Sequence, residues 1–302
     1  MTFYTSYNQK EKNKIISEGI LLINKAKSYT SFDVVAKVRK ILSVKKVGHA
    51  GTLDPFATGL LVVLIGRYTK LSDFLINNDK TYKATIRFGI GTDTHDSYGK
   101  KISYGNYLGI TKTKLELSLK KFRGIISQVP PIFSAIKING QRSYKLARKG
   151  EKVKLKSRKL MINKFEILKF NNPFVEFEIN SSKGTYIRSI ARDIGEDLGV
   201  PAHLSSLCRT NSGNFSLKDA LHQNELENNN FLNNYLIREK DAVKKMTIVE
   251  INNTEVSKLR CGIKPKISLN MKNKSQLIYC CDNKIIALAK LKQFKTYSIR
   301  GF

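Results

Sequence analysis

Six consecutive apolar residues, Leu60–Ile65, do most to limit what this chain can become. The run is far shorter than the ~18 residues a membrane span needs, and it reads as a strand. Directly before it lies "VGHAGTLDPFATG", a glycine-rich loop that carries Asp54. A strand at 60–65 would anchor that loop rigidly. Two further stretches add strands. "GILLINK" at 19–25 reads as a buried one. Tyr82, Ala84, Ile86 and Phe88 alternate with Lys83, Thr85 and Arg87, the period-2 pattern of a half-buried strand with one wet face.

Helices are interleaved with these strands. Val34, Val35, Val38, Ile41 and Leu42 have helical spacing, which predicts a helix over 32–42 with Ser31 as its N-cap. "RYTKLSDFLIN" predicts a short helix with Leu71, Phe74 and Leu75 inward. Leu115, Leu119 and Phe122 mark another over 112–123. Ile187, Ile190, Ala191, Ile194 and Leu198 form the apolar stripe of a helix that Thr185 could cap and Gly199 could stop. "GIGTDTHDSYGK" at 89–100 reads as a loop, and Asn139-Gly140 as a hairpin turn. "SYKLARKG" reads as a helical turn, and alternation resumes over 158–180. The asparagine-rich 223–234 region reads as a surface connection or a frayed helix. Beyond a boundary near 246, "TIVEI", "SQLIYCC", "IIALAKL" and "TYSIRGF" read as short strands of a small β domain appended to an α+β body.

Charge narrows the function. Lysine and arginine number 54 against 24 acids, a net +30. Such a field attracts polyanions, nucleic acid above all. The first residues lack the apolar core of a signal peptide and read as a short solvated tail. Four cysteines without zinc or disulfide spacing point to a reducing cytosol. There is no phosphate-binding P-loop, and "GIGTDT" lacks the third glycine of a dinucleotide fingerprint. Asp93, His95 and Asp96 share one loop without a further spaced partner, so turn chemistry explains them better than a metal does. Asp54 is ambiguous on its own. An aspartate before proline fits turn chemistry, and a carboxylate held in a rigid loop fits a nucleophile or general base. Arg188, in the first turn of a helix, is a possible counter-charge.

Four ordered blocks carry a resemblance. "VGHAGTLDPFATGLL", "DKTYKATIRFGIGTDTHDSYG", "QVPPIFSAIKINGQRSYKLARKGE" and "SSKGTYIRSIARDIGEDLG" with "AHLSSLCRT" resemble the TruB-type bacterial tRNA pseudouridine-55 synthases. The likeness runs from about 19 to 215. Residues 247–302 are similar, more loosely, to that family's small RNA-binding PUA-like domain. Ala26 and Ser28 stand where the family usually has proline and glycine, Phe133 where tyrosine is common, and Ala50 where threonine is frequent.

The resemblance implies a mixed, mainly antiparallel sheet in an α+β catalytic domain over 1–246, and a PUA-like domain over 247–302. It implies isomerisation of a T-loop uridine without cofactor or metal. Asp54 would be the catalytic carboxylate, with three routes open to it: attack on the sugar, attack on the base, or promotion of an elimination. Arg188 would pair with it. Tyr82 would stack on the target base and could relay a proton. His49 would fill the space the base vacates, and Tyr186 and Leu207 would line the pocket. The expected partner is the T-arm of tRNA, bound by a monomer in the cytoplasm with no guide RNA and no membrane. Lysines in 145–159 and in the C-terminal domain are candidates for phosphate contacts. About six neutralised phosphates would give a log–log salt slope of roughly −4 to −5. The competing readings are a guided uridine isomerase, which lacks a block like 134–150, and a non-enzymatic RNA-binding protein, against which Asp54, Tyr82 and Arg188 together argue.

Overall fold

A computed structural model describes residues 18–302 other than 139, 152, 154, 228–231, 233, 245, 266–275 and 293–294. The tail at 1–17 and Asn139 of the expected hairpin turn therefore lie outside the described residues.

A large mixed sheet organises the chain. Its strands are β1 (Gly19–Lys25), β2 (Val47–His49), β3 (Thr58–Ile65), β4 (Lys80–Phe88), β7 (Gly124–Gln128), β10 (Arg158–Asn171), β11 (Phe174–Ser181) and β12 (Ala202–Ser212), with shorter pieces at its edges. The spatial order is Leu221–His222, β1, β3, β12, β4, β11, β10, β7. Neighbours on this path are antiparallel except at two places: β1 beside Leu221–His222, and β3 beside β12. β2 pairs with β3 off the path.

The apolar run of β3 is continuous because both of its faces are covered. Leu61, Val63 and Ile65 enter one core, together with Val34, Val35 and Val38 of α1 (Ser31–Leu42), Leu115 and Leu119 of α2 (Lys112–Lys121), and the stripe of α4 (Ile187–Asp197). Leu60, Val62 and Leu64 enter a second core with Tyr68, Leu71, Phe74 and Leu75.

The C-terminal sheet closes that second core. It orders β13 (Ile248–Glu250), β14 (Gln276–Cys281), β15 (Lys284–Lys292) and β16 (Lys295–Gly301) in sequence. Ile278, Cys280, Ile285 and Leu288 pack toward Ile20, Leu22 and Leu60. Leu277, Tyr279 and Cys281 face the other way, onto Ile251 and Val256. Val256 belongs to α5 (Asn253–Arg260), a helix where strands and turns alone were expected. Its signal is a capping box, in which the Asn252 side chain accepts from the Glu255 N–H and the Glu255 carboxylate accepts from the Asn252 N–H.

Several boundaries differ from expectation. Thr30, not Ser31, caps α1, in a capping box with Asp33. The Ser31 hydroxyl instead accepts from the Leu53 N–H at 2.9 Å, tying the helix to the Asp54 loop. Thr185 does not cap α4, because its hydroxyl donates to the Ser182 carbonyl and Tyr186 takes the cap position. Gly199 does end that helix region, at φ +68°. The stretch read as a loop at 89–100 contains β5 (Ile90–Thr92), which pairs with β6 (Lys101–Tyr104). A hairpin of β8 (Lys137–Ile138) and β9 (Gln141–Arg142) precedes α3 (Ser143–Arg148). The 223–234 region is no mere surface connection: Gln223, Leu226 and Leu232 are buried. Among the described residues, no helix is long and apolar enough to cross a membrane.

Candidate active site

Asp54 lies between β2 and β3, where its carbonyl accepts from the Ala57 N–H at 3.1 Å and so closes a turn. The turn chemistry is real, and the side chain is free for another partner. Arg188, in the first turn of α4, provides it. Arg188 Nε donates to Asp54 Oδ2 at 2.9 Å and Nη2 to Oδ1 at 3.2 Å, a two-pronged pairing. The two ends are unequally exposed. The Arg188 side chain is 5% exposed and that of Asp54 33%. A sealed cation thus holds a carboxylate that still reaches solvent.

Arg188 is itself pinned by what surrounds it. It donates to the Thr94 carbonyl at 3.1 Å and to the Phe133 carbonyl at 3.0 Å. A second carboxylate, Asp96 Oδ2, stands 3.5 Å from Nη1 and is almost fully buried. Asp96 Oδ1 also accepts from the Thr94 hydroxyl and the Tyr98 N–H. Loop chemistry at Asp96 is therefore present, and the same residue adds negative charge to Arg188.

Two more cations fix the Asp54 loop from within. Lys25, at the end of β1, is fully buried and donates to the carbonyls of Tyr29 at 2.7 Å, Ala26 at 2.9 Å and Pro55 at 3.4 Å. Burial pulls its pKa down to about 8, although the Asp54 carboxylate works in the opposite direction. Arg209, on β12, is sealed in the sheet. It donates to the carbonyls of Leu60 at 2.8 Å, Gly51 at 3.1 Å and Thr52 at 3.4 Å.

The glycines of the loop answer to Arg209. At Gly59 a Cβ would stand 2.4 Å from the Arg209 carbonyl oxygen, and φ is +99°. Gly51, at φ +117°, faces the guanidinium across 3.5 Å. These two positions receive a neighbouring strand and its side chain.

Tyr82 on β4 is the direct cross-strand partner of Arg209, and its phenol opposes the lowering that burial imposes on the pKa of that guanidinium. Tyr82 and Leu207 are buried in the same core as Leu53, Phe56 and Ile187, which border Asp54 and Arg188 in sequence. Tyr186 is held through its backbone: its N–H donates to Gln128 Oε1 at 2.9 Å and its carbonyl accepts from Gln128 Nε2 at 3.1 Å. Burial raises its phenol pKa. His49, on β2, has a buried Nδ1 with no hydrogen-bond partner among the described residues. Burial, then the Arg209 charge, lowers its pKa and keeps the ring neutral. Asp54 and Arg188 are thus brought into contact, Tyr82 and Leu207 share their core, and Tyr186 sits two residues before Arg188. His49 is linked to this part of the fold through the charge of Arg209.

Sequence reasoning passed over Lys25 and Arg209, and it read Asp96 as turn chemistry alone. A lysine ending an apolar strand was the available signal for Lys25. Arg209 gave none, and the link of Asp96 to Arg188 gave none, because those partners are remote in the chain.

Residues 39–187 match the N-terminal domain model of the TruB family pseudouridylate synthases, and residues 188–265 match the tRNA pseudouridylate synthase B C-terminal domain. The tRNA pseudouridine synthase B of Clostridium kluyveri is 39% identical over 94% of this chain and 99% of its own length. The chain belongs to the TruB family of pseudouridylate synthases. The Protochlamydia amoebophila tRNA pseudouridine synthase B is 49% identical over 73% of this chain and 84% of its own. Among solved structures, a Cbf5-Nop10-Gar1 complex superposes with a TM-score of 0.74 at 25% identity, covering 97% of this chain and 87% of that one. This pseudouridylate synthase shares with it the mainly antiparallel α+β fold described above.

Proposed function

We propose that this pseudouridylate synthase isomerises the T-loop uridine of tRNA, position 55, as a stand-alone enzyme with Asp54 as its catalytic carboxylate. One observation carries the proposal: a one-third-exposed carboxylate gripped by both prongs of a buried arginine. Curated relatives named for tRNA support the substrate.

The reaction balances without an external donor. The glycosidic C–N bond breaks, the uracil turns, and a C–C bond forms from the same sugar carbon to C5. The proton lost from C5 is matched by one gained at nitrogen, so oxidation state and composition are unchanged. Arg188 holds the Asp54 carboxylate aimed through both prongs of its guanidinium. Tyr82 stacks on the base after it leaves its stack in the T-loop, and neutral His49 fills the gap left behind. Tyr186 and Leu207 shelter the carboxylate from bulk water. Residues 1–246 carry the chemistry, and 247–302 add RNA-binding surface to a cytoplasmic monomer. The hairpin β8–β9 and α3, in the block that guided isomerases lack, support independence from a guide.

Purified protein and unmodified tRNA transcript test the reading. Pseudouridine is expected at the T-loop uridine with nothing else added, and its absence sinks the proposal. Asp54→Asn is expected to bind the transcript and form no product.

A further inference from the structure

We propose that Tyr98 is an RNA-stacking residue at the mouth of the Asp54 site, presented by a clasp with Ser28, and that it receives the unstacked base beside the target uridine.

The clasp replaces a glycine. The turn after β1 brings Ser28 to φ +71°, a conformation that burdens serine and would not burden glycine. The turn is still held against the catalytic loop, since the Ser28 N–H donates to the Pro55 carbonyl at 2.8 Å. Ser28 also gains a contact that glycine has no atom to make: its hydroxyl is 2.7 Å from the Tyr98 hydroxyl. The bond links the turn after β1 to the 93–99 loop that supplies Thr94 and Asp96 to Arg188.

The ring so placed suits a nucleobase. It leans on Phe56, two residues after Asp54, with centroids 6.1 Å apart at an interplanar angle of 59°. Lys27 Nζ stands 5.7 Å from the ring centroid. The backbone behind the ring is fixed by the Tyr98 N–H bond to Asp96 at 3.0 Å. Yet the residue is 52% exposed, and Tyr29 and Phe32 on the facing turn and helix start are exposed as well. Rigid exposed aromatics beside a cation match the way proteins take single-stranded RNA, by stacking splayed bases while cations meet phosphates. The +30 charge makes the occupant an RNA loop rather than a protein.

This inference rests on the RNA-isomerase reading, and its test is built to fail separately. A T-arm stem-loop RNA carries 2-aminopurine, one position at a time, on either side of the target uridine. Wild-type protein is expected to change the probe's fluorescence at one flank, with tight binding. Tyr98→Leu should abolish that change and weaken binding and KM about tenfold. Tyr98→Phe, which keeps the ring and drops the hydroxyl, should bind like wild type. If Tyr98→Phe weakens binding as much as Tyr98→Leu, the hydroxyl clasp alone matters and the stacking role is overturned. If neither variant changes binding, it is overturned outright. Wild type that stacks the probe yet forms no pseudouridine would remove the enzymatic reading and leave the stacking role standing.

Discussion

Arg209 Nη2 donates to the carbonyl of Gly51, three residues before Asp54, from a strand 158 positions further along the chain. The bond joins the Asp54 loop to the parallel contact of β3 with β12. Arg209 also stands opposite Tyr82 in the pairing of β12 with β4. One buried cation therefore couples the Asp54 loop to the strand pair that carries the ring expected to meet the base.

Replacing it tests that coupling. Arg209→Met keeps the volume and removes every donor, leaving two buried carbonyls and one partly buried one without their partner. At about 1 kcal/mol or more for each, the protein should lose roughly 3 kcal/mol of stability. A loop displaced by about 1 Å should also cost about 100-fold in turnover. Arg209→Lys should recover part of the stability and little of the turnover, because one ammonium cannot reach all three carbonyls. Denaturant midpoints and single-turnover rates on tRNA transcript measure the two effects. Wild-type turnover in Arg209→Met would show that the loop holds itself.

Much of this architecture was legible and some was not, for reasons that differ by residue. Tyr82–Phe88 could be read because alternation reports one wet face, and α4 because its stripe recurs at helical spacing. Leu60–Ile65 read as a strand, but the cause of its unbroken apolarity, a core on each side, depends on the C-terminal sheet that covers the second face. Arg188 and Asp54 met as the family resemblance implied. Arg209 was silent because a single arginine between Cys208 and Thr210 has no pattern, and its carbonyl partners lie about 150 residues away. The helix α5 was hidden by its polarity, since Val256 is its only buried residue.

Arg188→Lys asks whether charge alone is enough. Lysine keeps the cation and loses the fork that meets both carboxylate oxygens, Thr94 and Phe133. We expect turnover to fall about 100-fold with tRNA affinity nearly unchanged, since the buried arginine offers RNA little surface. Filter binding and product formation separate the two. A large loss of affinity would mean that Arg188 meets RNA directly.

Asp96→Asn examines the second carboxylate. It keeps the shape, so an amide oxygen can still accept from Thr94 and Tyr98, while the charge 3.5 Å from Arg188 disappears. Arg188 should then lean more strongly on Asp54, lowering the nucleophilicity of that carboxylate. Turnover should drop about tenfold, an effect on the scale of one charge-assisted bond. Unchanged turnover would reduce Asp96 to a loop-forming residue.

Acid stability follows from His95, which sits at φ +60° in the same loop. Burial, helped by the charges of Arg192 and Arg188, lowers its pKa from 6.5 to about 4. Above 6.5 the ring is neutral in both the folded and the unfolded chain. Between the two values the unfolded chain binds a proton that the folded chain refuses, so stability present above 6.5 is lost as pH falls toward 4. His49 and His203 are shifted in the same direction, chiefly by burial, and share the loss. His95→Gln removes one titrating group of the three. Its urea midpoint should therefore fall less than wild type's between about pH 7 and about pH 5. Equal falls in the two proteins would mean that His95 is not buried as a neutral ring.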